Sequence, residues 1–273
     1  MADSIAPALG TARSKWTLRS IALVYVGVVV MVPLYFVFYK TIAEGWSAFW
    51  TAISSHDAIV AMRLSAECAI AAVVLNTVLG VGLALLLTRY RFRGRRALGV
   101  LVDLPISVSP VVVGLALILV YSSTIGWFGK HISYQIIFAL PSMVLATTFV
   151  SLPLMLREIV PVLEESGDDM EQAARVLGAS GWQQFTRITL PTIRAALAYG
   201  VVLTLARALG EFGAVKVVSG NVLGAGQTQT LPLLINDKYQ NLEQGTYQLS
   251  MVLILVTIVA IAFTSLRRRK EHS

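Results

Sequence analysis

Few side chains in this 273-residue chain could do chemistry, and most of them stand in apolar surroundings. Two basic–acidic pairs, Arg63/Glu67 and Arg207/Glu211, are spaced one helical turn apart inside otherwise apolar stretches. At that spacing both partners share one helix face, although Arg before Glu is the weaker orientation. An ionisable group in an apolar span is costly and faces a counter-charge or a wet cavity. Two readings of Arg207 therefore stay open: a source of positive potential, or a structural lock onto Glu211 or Glu67. Asp103 stands beside LPISVSP, where Pro105 and Pro110 are expected to bend the backbone.

Enzymatic chemistry has little to work with. His56, His131 and His272 are scattered without metal-ligand or triad spacing. Cys68 is the one cysteine, so it can form neither an intrachain disulfide nor a metal cluster, and reads as a packing residue. No Gly-x-x-x-x-Gly-Lys-[Ser/Thr] phosphate cradle occurs, and Gly129-Lys130-His131 lacks the upstream Gly and the hydroxyl. Gly80-Val81-Gly82 follows no strand, and is read instead as a place of close helix approach. The chain is expected to have no catalytic residues and to bind no metal or cofactor of its own.

The polar stretch Glu171–Pro191, EQAARVLGASGWQQFTRITLP, is of a different kind. It lies between long apolar runs and is built from helix formers. Asp168 with Glu171 three residues on reads as a capping box, and Asp168, Asp169 and Glu171 suit a helix N-terminus. Ala173 and Ala174 would give a smooth face. Gly178 reads as a helix stop, because a left-handed backbone is cheap there. Ser180 and Gln183 form a second capping signature for Gly181–Thr189, with Pro191 ending that segment. The expected unit is helix–Gly–helix lying flat at a membrane surface: a handle for a soluble partner, or an interfacial helix without one.

The surrounding elements call for an apolar solvent. The chain is 56% hydrophobic and only 14% charged, against about 25% charged in soluble domains. Six apolar runs approach the length needed to cross about 30 Å of hydrocarbon: Ile21–Tyr39, Ala61–Thr88, Leu98–Tyr121, Gln135–Leu156, Ile193–Val218 and Leu249–Leu266. The first is longer than a signal peptide's apolar region and leads into Tyr39 and Trp46, so it is expected to stay as a span. Trp46, Phe49 and Trp50 in the Lys40–Val60 connection suit a membrane–water boundary. Sixteen of the 22 basic residues fall in four places. They are the N-terminal tail (Arg13, Lys15, Arg19), RYRFRGRR (Arg89, Arg91, Arg93, Arg95, Arg96), the fourth-to-fifth connection (Arg157, Arg175, Arg187, Arg194) and the C-terminus (Arg267, Arg268, Arg269, Lys270). With six crossings these share one side, which puts both termini inside. The net charge of +7 is thus topological; lipid is the expected surrounding and no nucleic acid is needed.

The polar stretch resembles the cytoplasmic docking loop of permease subunits in bacterial ATP-binding-cassette importers. That loop runs Glu-Ala-Ala, three residues, Gly, nine residues, Ile, one residue, Leu-Pro. Ala173, Ala174, Gly178, Ile188, Leu190 and Pro191 are in register, with Gln172 at the Glu position and Glu171 one step earlier. RALGEFGAVKVVSGN (207–221) and TQTLPL (228–233) are similar to the sulfate/thiosulfate branch, nearest its second permease type, while LGEFGA is shared with molybdate permeases.

The resemblance implies an all-α type I importer fold with six transmembrane helices. A tail at 1–20 and a first helix at 21–39 would precede a transmembrane domain at 61–266, with a coupling loop at 157–192 and a basic tail at 267–273. It implies ATPase coupling through Glu171, Gln172, Ala173, Ala174, Leu177, Gly178, Ala179, Ile188, Leu190 and Pro191. Arg207, Gly210, Glu211, Ser107, Ser109 and Ser219 become translocation-path candidates, although isolated serines in spans commonly just pack helices. The partners implied are a second homologous permease, two ATPase subunits that use ATP and Mg²⁺, and an external sulfate-binding protein.

Overall fold

The computed structural model describes residues 12–123, 127, 136–222 and 228–271. Gly129-Lys130-His131, His272, Gln135, the start of the N-terminal tail and the Gly-rich loop segment 223–227 lie outside the described residues. Among the described residues every regular element is a helix.

Helix α1 (Ala12–Val26) passes through a π-helical turn at Gly27–Met31 into α2 (Val32–Ala43). The 28 residues Trp16–Ala43 are apolar, and their central window is wholly unburied by the rest of the chain. At about 1.5 Å per residue they outreach a hydrocarbon core of about 30 Å. The next connection is not a plain loop: it holds α3 (Trp46–Ser54), whose Trp46 and Phe49 rings stack at 5.0 Å.

Helix α4 (His56–Arg89) starts where the Ser55 hydroxyl accepts the Ala58 N–H at 3.4 Å. Asp57 in its first turn and Arg89 in its last both suit the helix dipole. The expected third span is not one straight helix. It breaks into α5 (Arg95–Ser107) and α6 (Pro110–Tyr121), bent by 116°. Pro110 forces the preceding Ser109 out of the helical region (ψ 133), so the chain must turn before α6 begins.

Helix α7 (Leu140–Ser166) is the centre of the molecule; most of its apolar window is buried, against α4 and α10 (Leu190–Leu209) above all. It carries Pro153 and Pro161 in its interior, which neighbouring helices make tolerable in spans. It also runs past the expected end at Leu156. Arg157 faces Asp103 at 3.7 Å and Glu164 faces Arg95 at 3.7 Å, so these polar residues belong to the helix and not to the loop. The loop proper begins only at Gly167, whose φ of +62° ends the helix.

The expected fifth span also breaks. α10 stops at Leu209 and a separate α11 (Gly213–Ser219) follows. Among the described residues two further helices follow, α12 (Leu231–Gln240) and α13 (Thr246–Glu271). Among the described residues four helices are long and apolar enough to cross a membrane, or five with the bent pair taken as one, and Thr246–Ala262 is a shorter apolar stretch.

Three apolar clusters hold these helices together. One joins α4 and α7 to α10 near the polar loop, through Val81, Ala84, Met155, Ile159, Leu163 and Ile193. A second surrounds Cys68, Met143, Val150, Ala214 and Val218, where Cys68 packs as expected. The third, at the opposite end, seats Leu231, Leu234 and Leu249 on Ala58 and Ala61. Of the Gly pair in α4, only Gly80 meets a neighbour, Met155; Gly82 has open space around it.

Candidate functional site

The polar loop is a bracket of two short helical limbs around a glycine corner. The first limb is α8 (Asp169–Val176), with Asp169 and Glu171 in its first turn and Arg175 in its last, as its dipole favours. The capping box expected at Asp168 does not form: Asp168 makes no side-chain cap bond. Glu171 has turned away to one charged partner, Arg89, and to the Thr189 hydroxyl.

The corner forms as the residues require. Gly178 adopts φ +85°. Its N–H bonds to Arg175 O at 3.0 Å and the Ala179 N–H bonds to Ala174 O at 3.0 Å. This is a Schellman closure, which satisfies two carbonyls otherwise orphaned at the helix end. The second limb starts with the expected box. Ser180 Oγ accepts the Gln183 N–H at 3.3 Å and the Gln183 side chain accepts the Ser180 N–H at 2.9 Å.

Pro191 does not end this limb. α9 (Gly181–Gln184), a π-helical turn (Phe185–Thr189) and α10 make one run of 29 residues, Gly181–Leu209. In the π turn the Leu190 N–H reaches back to Phe185 O, one residue farther than in an α-helix. The widened turn carries the chain past a proline that cannot donate. One limb of the bracket is therefore the same rod as the span that follows it.

The matched residues sort into two faces. Gln172, Ala173, Leu177, Gly178 and Pro191 are exposed, while Glu171, Ala174, Ala179, Ile188 and Leu190 are half-buried against the helices. Around the corner, large apolar side chains stand bare: Met170 72%, Val176 89%, Leu177 88% and Trp182 73% exposed. A helical corner that polar, carrying side chains that apolar, has the makeup of a contact surface.

The residue that organises the bracket was not singled out from the sequence. Arg89, at the end of α4, donates from Nε to Glu171 Oε2 at 2.8 Å and from Nη2 to Glu171 Oε1 at 3.3 Å. It also donates to Leu163 O (2.9 Å) and Gly167 O (2.8 Å). The Thr189 hydroxyl completes the Glu171 carboxylate at 2.8 Å. Both charged side chains are largely enclosed, at 13% and 14% exposure. In sequence Arg89 is simply the first of five arginines in RYRFRGRR, and its partner lies 82 positions away.

The translocation-path candidates divide. Arg207 and Glu211 do pair, and Glu211 Oε1 also accepts the Ala214 N–H at 3.1 Å, which starts α11. Gly210 lies in the break between α10 and α11. Ser107 and Ser109 are exposed at the break between α5 and α6. The structure brings the two breaks together: a Cβ on Gly213 would stand 3.1 Å from Pro110 Cβ, and one on Gly114 2.9 Å from Ala214 O. Ser219 belongs elsewhere. It is buried at the far end of α11, where its hydroxyl accepts the Asn221 N–H at 3.2 Å and its carbonyl accepts from Thr228. It shapes the turn. Asn221 and Gln229 are in turn held on Asp237.

Comparisons with known proteins agree with this architecture. The sulfate transport system permease protein CysW of Synechocystis is 43% identical over 96% of each chain. The CysW protein of Escherichia coli K12 is 42% identical over 92% of this chain and 87% of its own. The CysT sulfate transport permease of the same organism is 32% identical over 89% and 88%. In fold, the chain is similar to a chain of the bacterial ABC transporter that imports the acidic polysaccharide alginate. That match has a TM-score of 0.77 and 18% identity, and covers 94% of this chain and 96% of that one. The family model for the binding-protein-dependent transport system inner membrane component matches residues 76–270, and the chain belongs to that family.

Proposed function

We propose that this chain is one of two homologous membrane-spanning subunits of an ATP-driven importer for sulfate, with thiosulfate as a second substrate. One observation carries the proposal: the bare apolar corner Met170/Val176/Leu177/Trp182 sits on a bracket continuous with α10. A soluble engine gripping that corner pulls directly on a span. The substrate reading is supported by relatives named as sulfate permeases at 42–43% identity over nearly the whole chain. A pair of CysW-like and CysT-like permeases supports the heterodimer, and a solved alginate importer with its periplasmic protein supports an external binding protein.

In this reading the bent pair α5/α6 and the Thr246–Ala262 stretch count as crossings. Six spans then place both termini and the bracket inside the cell, at its cytoplasmic membrane. ATP and Mg²⁺ are used by two separate ATPase subunits, and alternating access at the interface of the two permeases moves the anion. Labelled sulfate uptake in cells deleted for this chain tests the proposal. Loss of uptake, restored by the chain and competed by thiosulfate but not by molybdate, is expected. Competition by molybdate alone would move the substrate to molybdate or tungstate. Uptake driven by protons or sodium without ATP would make the chain an ion-driven transporter instead.

A further inference from the structure

Three helix ends meet at one guanidinium. Arg89 ends α4, and its Nη1 donates to Leu163 O in the last turn of α7, a carbonyl that also accepts the Ser166 hydroxyl at 3.2 Å. Its Nη2 donates to Gly167 O beyond that helix, and its Nε reaches Glu171 in the first turn of α8. Thr189, where α10 is about to begin, holds the same carboxylate. The charges are placed as the dipoles want them: a cation at the C-termini of α4 and α7, an anion at the N-terminus of α8. A planar fork with fixed donors suits this task, and a lysine head cannot reproduce it.

The two limbs of the bracket are attached differently. The second limb is covalently continuous with α10 as helix. The first joins α7 only through Gly167 and Asp168, whose backbone is non-helical, with Gly167 at φ +62°. A joint of that kind would swivel by itself. We propose that Arg89 is a positioning residue that locks this joint, so that displacement of α8 is delivered to α4 and α7 as well as to α10. The inference rests on the docking reading of the bracket and adds to it the route by which the stroke is shared among spans.

The test uses the assembled permease–ATPase complex in proteoliposomes, with R89Q and R89K. Partner ATPase should remain bound in both variants, because the bare corner is untouched. Sulfate moved per ATP hydrolysed should fall by about fivefold or more in R89Q, the low end of linked-site coupling, and by less in R89K. Amide hydrogen exchange over 168–172 should speed up in the same order. A residue that only supported folding would lower the yield of complex and leave that ratio unmoved. A wild-type ratio with wild-type protection in R89Q overturns the proposal. If R89Q does not assemble, R89K decides, and a wild-type ratio there overturns it equally. If the wild-type complex moves no sulfate with ATP, the importer reading fails separately. The exchange comparison then decides alone, unchanged protection counting against Arg89.

Discussion

Arg207 and Glu211 form an ion pair that is buried on one side only: the carboxylate is 2% exposed and the guanidinium 37%. The carboxylate has two tasks, since its other oxygen holds the Ala214 N–H at the start of α11. It therefore joins the end of α10 to the next helix across a break in the backbone.

This asymmetry sets an order among variants. Arg207→Leu leaves a buried carboxylate without its counter-charge, whereas Glu211→Gln keeps an acceptor for Ala214 and leaves only a part-exposed cation. Removing one partner of a fully buried pair costs about 3–5 kcal/mol. With Arg207 a third exposed, about 2 kcal/mol is expected for R207L and less for E211Q. Uptake should be lost in R207L. The double variant R207L/E211Q restores folding; uptake that returns with it makes the pair structural, and uptake that stays absent assigns Arg207's charge to the anion path. Normal uptake by R207L at normal expression would remove Arg207 from the site.

Substitutions at Gly178 should rank by backbone strain and not by size. The residue has φ +85°, and a Cβ built there meets nothing within 4 Å. Left-handed backbone costs other residues about 1–2 kcal/mol, with Asn the least penalised. Recovery of bound ATPase on purification should therefore fall as Gly178→Asn, then Gly178→Ala, then Gly178→Val. If Asn proves worse than the smaller Ala, the partner fills that open space and the steric reading replaces the conformational one.

The parts of the bracket that could be read in advance were those whose signals are local. Gly178 and the Ser180/Gln183 box lie within a few residues of the groups they satisfy, and both formed. Asp168 and Glu171 carried the same signal, yet a charged partner from α4 took the carboxylate; nothing near in sequence announces a contact 82 residues away. The α5/α6 break was signalled by Pro105 and Pro110. The break after Leu209 was not, because LGEFG lies within a run of spanning length, Ile193–Val218, and carries no proline. The continuation of α7 to Ser166 was hidden by its composition, since Arg157 and Glu164 look like loop until their partners on α5 are in place.

Ser180→Ala should loosen the second limb without detaching it. The change removes the acceptor for the Gln183 N–H and leaves the reciprocal bond, from the backbone N–H of residue 180 to the Gln183 side chain, to hold the cap alone. Loss of such a cap costs about 1 kcal/mol. Gln184 still holds Ala179 O at 2.9 Å from within the limb. Faster amide exchange at 181–184 is expected, with Ser180→Asp near wild type because a carboxylate also caps. Equal exchange in S180A and S180D would mean that the box contributes nothing to order here.

Met155 is fully buried where α7 crosses both α4 and α10. A Cβ at Gly80 would stand 2.5 Å from its Cγ, and one at Gly200 2.7 Å from its Sδ. The Sδ lies near the end of a flexible side chain and can swing away; the Cγ is fixed close to the α7 backbone. Gly80→Ala should therefore destabilise by about 1–3 kcal/mol through overpacking, and Gly200→Ala by less. Gly82 has no neighbour within 4 Å, so Gly82→Ala should be neutral or stabilise by about 0.5–1 kcal/mol through helix propensity. Thermal unfolding of the purified complex in detergent reads all three. Met155→Ala should relieve the Gly80→Ala penalty, so that the double variant is less impaired than the sum of the singles. Additive effects, or a Gly82→Ala variant as impaired as Gly80→Ala, would show that Met155 is not what Gly80 makes room for.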